Sequence, residues 1–253
     1  MITSATNPRI KHVIQLVKSA KLRREEGVYV VEGIKMCLEA PFMDVMEIYA
    51  SESFMAEHKD VFARYQPEIV SDQIFKKMSD TMTPQGILCV VKQAENDCES
   101  LLENHKSGNL RLLVLEGVQD PGNLGTMIRT AEGAGFDAII ADANTVNVYN
   151  PKVIRSTMGS IFRVPVIYTD DLKNVLTMLQ SSGITLYAAH LKGDSFYNKT
   201  AFENRRAILI GNEANGLSDE VSKMADVLVK IPMQGQVESL NAAVAAALLM
   251  YKE

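Results

Sequence analysis

Metal ligands, disulfide partners and long apolar runs are all scarce in this chain. Its three cysteines, Cys37, Cys89 and Cys98, are odd in number and widely spaced. That excludes a disulfide framework and any paired-cysteine metal spacing. The four histidines, His12, His58, His105 and His190, make no ligand cluster with them, so no metal site is expected. No segment reaches the roughly 18 apolar residues at which a membrane helix is suspected, so no membrane partner is expected. The N-terminus, MITSATNPRIK, lacks the apolar core of a signal peptide. A cytoplasmic location is the resulting expectation. Net charge is −5, so no overall positive excess points to nucleic acid. No internal repeat or low-complexity segment occurs.

What is present is an ample apolar fraction, 47% of 253 residues, enough for one large or two modest domains. Strand-like and helix-like segments alternate twice along the chain. In residues 1–95, GVYVVEG (27–33), DVMEIYAS (44–51), EIVSD (68–72) and GILCVVKQ (86–93) read as strands. IKMCLEA, SFMAEHKDVFARY (53–65) and QIFKKMSD read as the helices between them. Residues 96–109 read as a partly helical linker, acidic and then Gly/Asn-rich. In residues 110–253, RLLVLEGV (111–118) reads as a buried parallel-type strand, QDPGNLG as a loop, TMIRTAEGAG as a helix and FDAIIAD as a strand. VPVIYT, ITLYAAHL, RRAILIG and DVLVKIPM supply further strands. The expected class is α/β, with a smaller N-terminal domain and a C-terminal parallel sheet.

Charge is unevenly placed. Arg9, Lys11, Lys18, Lys21, Arg23 and Arg24 precede the first acidic residue, Glu25. A helix opened by Asn7-Pro8 turns Ile10, Val13, Ile14, Leu16 and Val17 inward and the basic residues outward. That face is either simply solvated or a polyanion contact. At the other end, residues 242–251 carry no polar residue on any face of a helix. Such a helix is expected to be buried on all sides, by its own domain or by a second subunit.

A dinucleotide fold offers one reading of residues 111–142: strand, glycine-containing loop, helix, and Asp142 at the end of the next strand as a ribose ligand. The loop PGNLGT does not meet the G-x-G-x-x-G spacing, which weakens it.

Three segments end strands and place unusual polar residues there: GVQDPGNLGTMIRTAEGAG with Asn123 and Arg129, LIGNEANGLSDE with Asn212 and Glu213, and IPMQGQVESLNAA with Ser239 and Asn241. In order and spacing they resemble the three motifs of the SpoU family of RNA ribose 2′-O-methyltransferases, part of the SPOUT superfamily. Asn123, Gly125, Arg129, Thr130 and Ala131 match the first motif. Gly211, Asn212, Glu213, Gly216 and Leu217 match the second. Ile231, Pro232, Met233, Gly235, Ser239, Leu240 and Asn241 match the third. The N-terminal pattern Arg23, Arg24, Gly27, Tyr29, Glu32, Gly33 resembles the family's substrate-binding domain, which has an L30e-like fold.

The resemblance implies a deep trefoil knot in the C-terminal domain, S-adenosylmethionine as cofactor, a homodimer and an RNA substrate, ribosomal more than transfer RNA. It implies that Ala189, Gly211, Ile231, Met233 and Leu240 line the adenosine site. It also implies that Asn123, Arg129, Glu213, Ser239 and Asn241 serve catalysis. Asn123 would fix the first loop, with helix capping as its plainer role. Glu213 would orient an Asn or Arg partner, with a helix first-turn acid as the alternative. Ser239 and Asn241 would bond the arginine or the cofactor region, and both would also suit the cap of the last helix. Arg129 is assigned in the family as base or phosphate clamp. A guanidinium titrates above about 12, so clamping phosphate and stabilising a developing alkoxide suit a cation better. A plain ion pair with Glu132 is the alternative. The six basic N-terminal residues are the expected RNA contacts. An RNA-binding protein that keeps the fold without catalysis is the competing class.

Overall fold

The structure is a computed structural model describing residues 1–62 and 65–252. Contacts divide the chain into two units, 1–94 with 149–162, and 95–148 with 163–253.

The first unit begins with α1 (Pro8–Lys18) and α2 (Ala20–Glu26), followed by β1 (Val28–Glu32) and α3 (Ile34–Glu39). Then come β2 (Val45–Ser51), α4 (Glu52–Phe62), β3 (Glu68–Val70), α5 (Asp72–Met78) and β4 (Ile87–Lys92). Residues 63 and 64, the end of the helix expected over 53–65, lie outside the described residues. Asn7 caps α1 by accepting from the Arg9 N–H, and Pro8 presets its first turn. Ile10, Val13 and Leu16 are buried at helical spacing, while Ile14 and Val17 are half-buried. The sheet order is β1-β4-β2-β3, antiparallel except for the β2–β3 pair.

The second unit holds α6 (Cys98–Asn104), β5 (Leu110–Leu115), α7 (Pro121–Gly133) and β6 (Ala138–Asp142). After the excursion into the first unit follow β7 (Val166–Thr169), α9 (Leu172–Ser181), β8 (Thr185–Ala189) and the short β9 (Ser195–Phe196). It ends with β10 (Arg205–Ile210), α10 (Asp219–Met224), β11 (Val227–Lys230) and α11 (Ala242–Met250). Seven parallel strands run in the order β7-β6-β5-β10-β8-β11-β9. Leu112, Val114, Ile140, Leu186 and Leu209 fill one core with the inner face of α9. Leu172, Val175, Leu176 and Leu179 form that face, each stabilising the fold by about 1.5–3 kcal/mol on full burial.

Two expectations are corrected. The expected loop QDPGNLG is mostly helix. Pro121 starts α7 at its first position and Asp120, not Asn123, caps it by accepting from the Asn123 N–H. The segment read as a partly helical linker carries α6, capped by Asp97. The segment 149–162, expected inside the C-terminal domain, packs in the first unit. There α8 (Pro151–Thr157) sets Ile154 in the same cluster as Tyr29, Val31 and Cys89.

Candidate active site

The three motifs follow β5, β10 and β11, at the C-terminal edge of the parallel sheet, where open α/β sheets bind ligands. The loop after β5 is held on two sides. Gly117, in the left-handed region at φ 68°, donates its N–H to Asp142 Oδ1 at 2.8 Å and accepts from Asn212 Nδ2 at 2.7 Å through its carbonyl. Asp142 also accepts from the Thr145 N–H and hydroxyl, and Thr145 Oγ1 accepts from the Val118 N–H. Asp142 is buried and its carboxylate braces the loop, so the ribose role in the dinucleotide reading is gone. The glycines of PGNLG lie within α7 rather than in a phosphate loop.

The second motif closes on itself. Asn212 and Gly216 exchange backbone hydrogen bonds of 3.0 and 2.9 Å, and Asn212 Oδ1 accepts from the Ala214 and Asn215 N–H groups. A Cβ at Gly211 would sit 2.1 Å from the Gly216 carbonyl carbon and the Leu217 nitrogen, so only glycine fits there. Glu213 lies in this turn, not in the first turn of α10, which rules out the plain helix-acid role.

Three side chains from three motifs then join in one line. Asn241 Nδ2 donates to Asn123 Oδ1 at 2.9 Å, and Asn123 Nδ2 donates to Glu213 Oε1 at 3.0 Å. Glu213 accepts also from the Gln119 and Asp120 N–H groups at 3.2 and 3.1 Å. Partial burial of Glu213 opposes its charge, but the Asn123 amide and the backbone donors outweigh it and hold its pKa below the ordinary carboxylate value. Asn241 doubles as the cap of α11, accepting from the Ala243 and Val244 N–H groups.

Arg129 and Ser239 are not part of this line. Both are exposed, and neither side chain forms a hydrogen bond or ion pair among the described residues. Arg129 lies six positions past Asn123, about 120° round α7. The alternative pairing with Glu132 does not form, because Glu132 pairs with Arg163.

The expected cofactor residues gather at neighbouring strand ends. Ala189 closes β8 opposite Val229 of β11, and Leu209 of β10 pairs with Ala188. Ala189, Gly211 and Ile231 therefore end three adjacent strands. Met233 and Leu240 lie in the following segment, whose residues 234–240 are exposed. Among the described residues, no hydrogen bond ties residues 233–240 to the rest of the chain. Their backbone donors and acceptors are open beside the strand ends, and a side chain at Gly235 would meet nothing within 4 Å. This suits a flat, hydrogen-bonding group such as an adenine, and no strand or helix competes for those groups.

The matches with known proteins decide the family. The model of the SpoU rRNA methylase family matches residues 111–251. The chain belongs to the SpoU rRNA methylase family. A further family model, the MRM3-like substrate binding domain, matches residues 7–89. The 23S rRNA (guanosine(2553)-2′-O)-methyltransferase RlmP of Bacillus subtilis is 33% identical over 99% of this chain and 97% of its own. The crystal structure of AdoMet-bound rRNA methyltransferase from Sinorhizobium meliloti superposes with a TM-score of 0.85 at 26% identity, covering 99% and 95% of the two chains. The SpoU methyltransferase AviRb of Streptomyces viridochromogenes gives 0.84 at 25% identity, covering 97% and 96%. As a SpoU protein, the chain is an S-adenosylmethionine-dependent RNA ribose methyltransferase.

The six N-terminal basic residues do not form one surface. Lys11, Lys18, Lys21 and Arg24 are exposed, with Lys21 Nζ 3.7 Å from Glu25. Arg9 is tied to Glu68 at 2.7 Å and lies over the Tyr49 ring. Arg23 is a correction. It is 5% exposed, and its guanidinium donates to the Leu16 and Val17 carbonyls at 2.6 and 3.0 Å. It satisfies the last turn of α1 and has no reach to a phosphate. Sequence reading also missed Asp120 and Thr145. Their signal was local: an Asp before Pro, and a Thr three residues past the strand-ending Asp142.

Proposed function

We propose that this SpoU protein methylates a ribose 2′-hydroxyl of ribosomal RNA, with 23S rRNA, the substrate of its full-length relative RlmP, as the RNA to test first. The observation that carries the reading is the Asn241–Asn123–Glu213 line, which locks three motifs together at the sheet edge. Bound S-adenosylmethionine supplies a methyl on a sulfonium, a leaving group that needs no acid. The chain therefore has to position the ribose and favour the charge developing on its oxygen.

Ala189, Gly211, Ile231, Met233 and Leu240 hold the adenosine, with the open backbone of residues 233–240 as hydrogen-bond partner. Asn123, Glu213 and Asn241 fix the loops around the methyl, and Ser239 extends that polar rim. Arg129 clamps the RNA phosphate and stabilises the alkoxide. Its position off the line fits a site completed across a homodimer, to which α11 contributes its outward face. In the isolated chain α11 buries only Ala243, Ala246, Leu249 and Met250, while Val244 and Tyr251 are 48% and 62% exposed. The bond from Asn241 back to Asn123 supports a chain end threaded as in the family's trefoil knot. Residues 1–95 form the L30e-like RNA-holding domain, with Lys11, Lys18, Lys21 and Arg24 as phosphate contacts and Arg9 restricted by its ion pair. Among the described residues no helix is long and apolar enough to cross a membrane, and a ribosomal substrate places the enzyme in the cytoplasm.

The test is transfer of labelled methyl from S-adenosylmethionine to 23S rRNA lacking the modification, free and in precursor particles, mapped by resistance to alkaline cleavage. Arg129→Ala is expected to lose about 10²–10³-fold in rate while retaining calorimetric cofactor binding. Wild-type protein that leaves every ribose unmethylated would sink the reading.

A further inference from the structure

The first unit contains a cleft of about 290 Å³ lined by Ser51, Phe54, His58, Asp72, Lys76 and Gln85, among others. Pockets for small organic ligands start near 300 Å³, so this one takes a single ring system rather than a length of chain. Its charge argues against a phosphate site. Glu57 and Asp72 both line it, against Lys76 and His58, whereas RNA backbones are held by an excess of cations.

Its walls carry a different chemistry. The ring of Phe54, 4% exposed, backs that of His58 at 4.6 Å and 40°, which leaves the half-buried His58 ring as the surface on which a base can stack. Asp72 Oδ1 accepts from the Ser53 hydroxyl at 2.6 Å, which orients the carboxylate. Gln85 Oε1 accepts from the Ile34 N–H at 2.8 Å. A backbone N–H demands an acceptor, so the amide orientation is fixed, and the NH₂ group of this exposed, cleft-lining residue forms no hydrogen bond among the described residues. Gly86, at φ 90°, lets the chain approach closely: a Cβ there would lie 2.7 Å from Phe54 Cβ and 2.8 Å from Ser51 Oγ. The cleft thus offers a stacking wall, a carboxylate acceptor and an amide donor.

We infer that this cleft binds one unstacked guanine of the substrate RNA, stacked on the His58–Phe54 wall and read on its Watson–Crick edge by Asp72 and Gln85. Guanine alone among the four bases presents two adjacent donors, N1–H and N2–H₂, beside the acceptor O6. A carboxylate takes the two donors and the amide NH₂ supplies O6. Adenine, cytosine and uracil each set an acceptor against the carboxylate. The inference rests on the reading of the first unit as the RNA-holding domain, and names what that domain reads.

The test uses the full chain and fluorescein-labelled UUGUU, UUAUU, UUCUU and UUUUU, with binding followed by anisotropy at one fixed salt concentration. The G-centred strand is expected to bind at least about fivefold tighter than the other three. Asp72→Asn and His58→Ala, each with an unchanged urea midpoint, are expected to abolish that preference while UUUUU binding stays the same. Should Asp72→Asn fail to fold, His58→Ala decides alone. Equal binding of all four strands by the wild type, or a preference that survives in the folded variants, overturns the proposal. Binding of a folded 23S rRNA transcript without any pentamer overturns the guanine site alone. Binding of neither overturns the RNA-holding reading as well.

Discussion

Replacing Arg23 removes two hydrogen bonds from the interior of the first unit, whereas replacing Arg24 removes a charge from its surface. Arg23→Ala leaves the Leu16 and Val17 carbonyls without their partner, at a cost of about 1–3 kcal/mol. Its urea midpoint is expected to fall while the salt dependence of RNA binding is unchanged. Arg24→Ala is expected to do the reverse, with stability within about 0.5 kcal/mol of wild type and a salt slope smaller by about one. Equal effects of the two would contradict this assignment. Glu213 allows a pH test at the same scale. Its pKa is held below the ordinary carboxylate value, so its ionised form stabilises the folded state. That contribution is complete above the unfolded pKa of about 4.3 and is lost as pH falls through the lower folded value. The stability gap between wild type and Glu213→Gln is therefore expected to be constant from neutral pH down to about pH 5 and to close only in acid. Denaturant melts at a series of pH values measure it; a gap that widens in acid would reverse the sign argued here.

At the scale of elements, burial patterns were legible in the sequence and partners were not. β5, β6 and β10 are almost wholly buried runs, and such runs announce a parallel sheet covered on both faces. The candidate site's residue types were legible through the resemblance of three motifs to the SpoU family, and the Asn123–Glu213–Asn241 bonding is a consequence of strand order, which the motifs do not encode. Asp142 shows the gap well: an acid ending a strand was visible, but its use as a loop brace depends on Gly117 and Thr145 coming to it. α11 shows it differently. A helix with no polar face was expected to be covered all round, and the single chain covers one side. If a second subunit covers the other, Val244→Glu places a charge in that contact without touching the chain's own core. The variant is expected to sediment as a folded monomer and to transfer no methyl. A Val244→Glu protein that remains a dimer would show that α11 does not make the contact.

At the scale of the whole molecule, the segment 149–162 makes the two units interdependent along the chain. It falls within the SpoU family match at 111–251, yet packs with residues 1–94. The chain therefore passes from one unit to the other three times, near residues 94, 148 and 162. No single cut separates two complete units. Similarity along a sequence groups residues that share a history, whereas packing groups those that share a core, and here the two groupings differ. The Tyr149 ring lies 4.6 Å from that of Tyr29, the Tyr149 hydroxyl accepts from the Ala94 N–H at 3.1 Å, and Arg155 pairs with Asp80 at 2.7 Å. Ile154, 3% exposed, closes the cluster around Val31 and Cys89. Removing it to Ala costs about 2–5 kcal/mol, and removing the whole segment uncovers the side chains it lies on. A protein ending at residue 94 is expected to bind an apolar dye such as ANS and to unfold without cooperativity. Full-length Ile154→Ala should keep cooperative unfolding at a lowered urea midpoint. Fragment 1–94 unfolding sharply, at the midpoint of the first unit in the full chain, would mean that 149–162 merely lies on a core already complete.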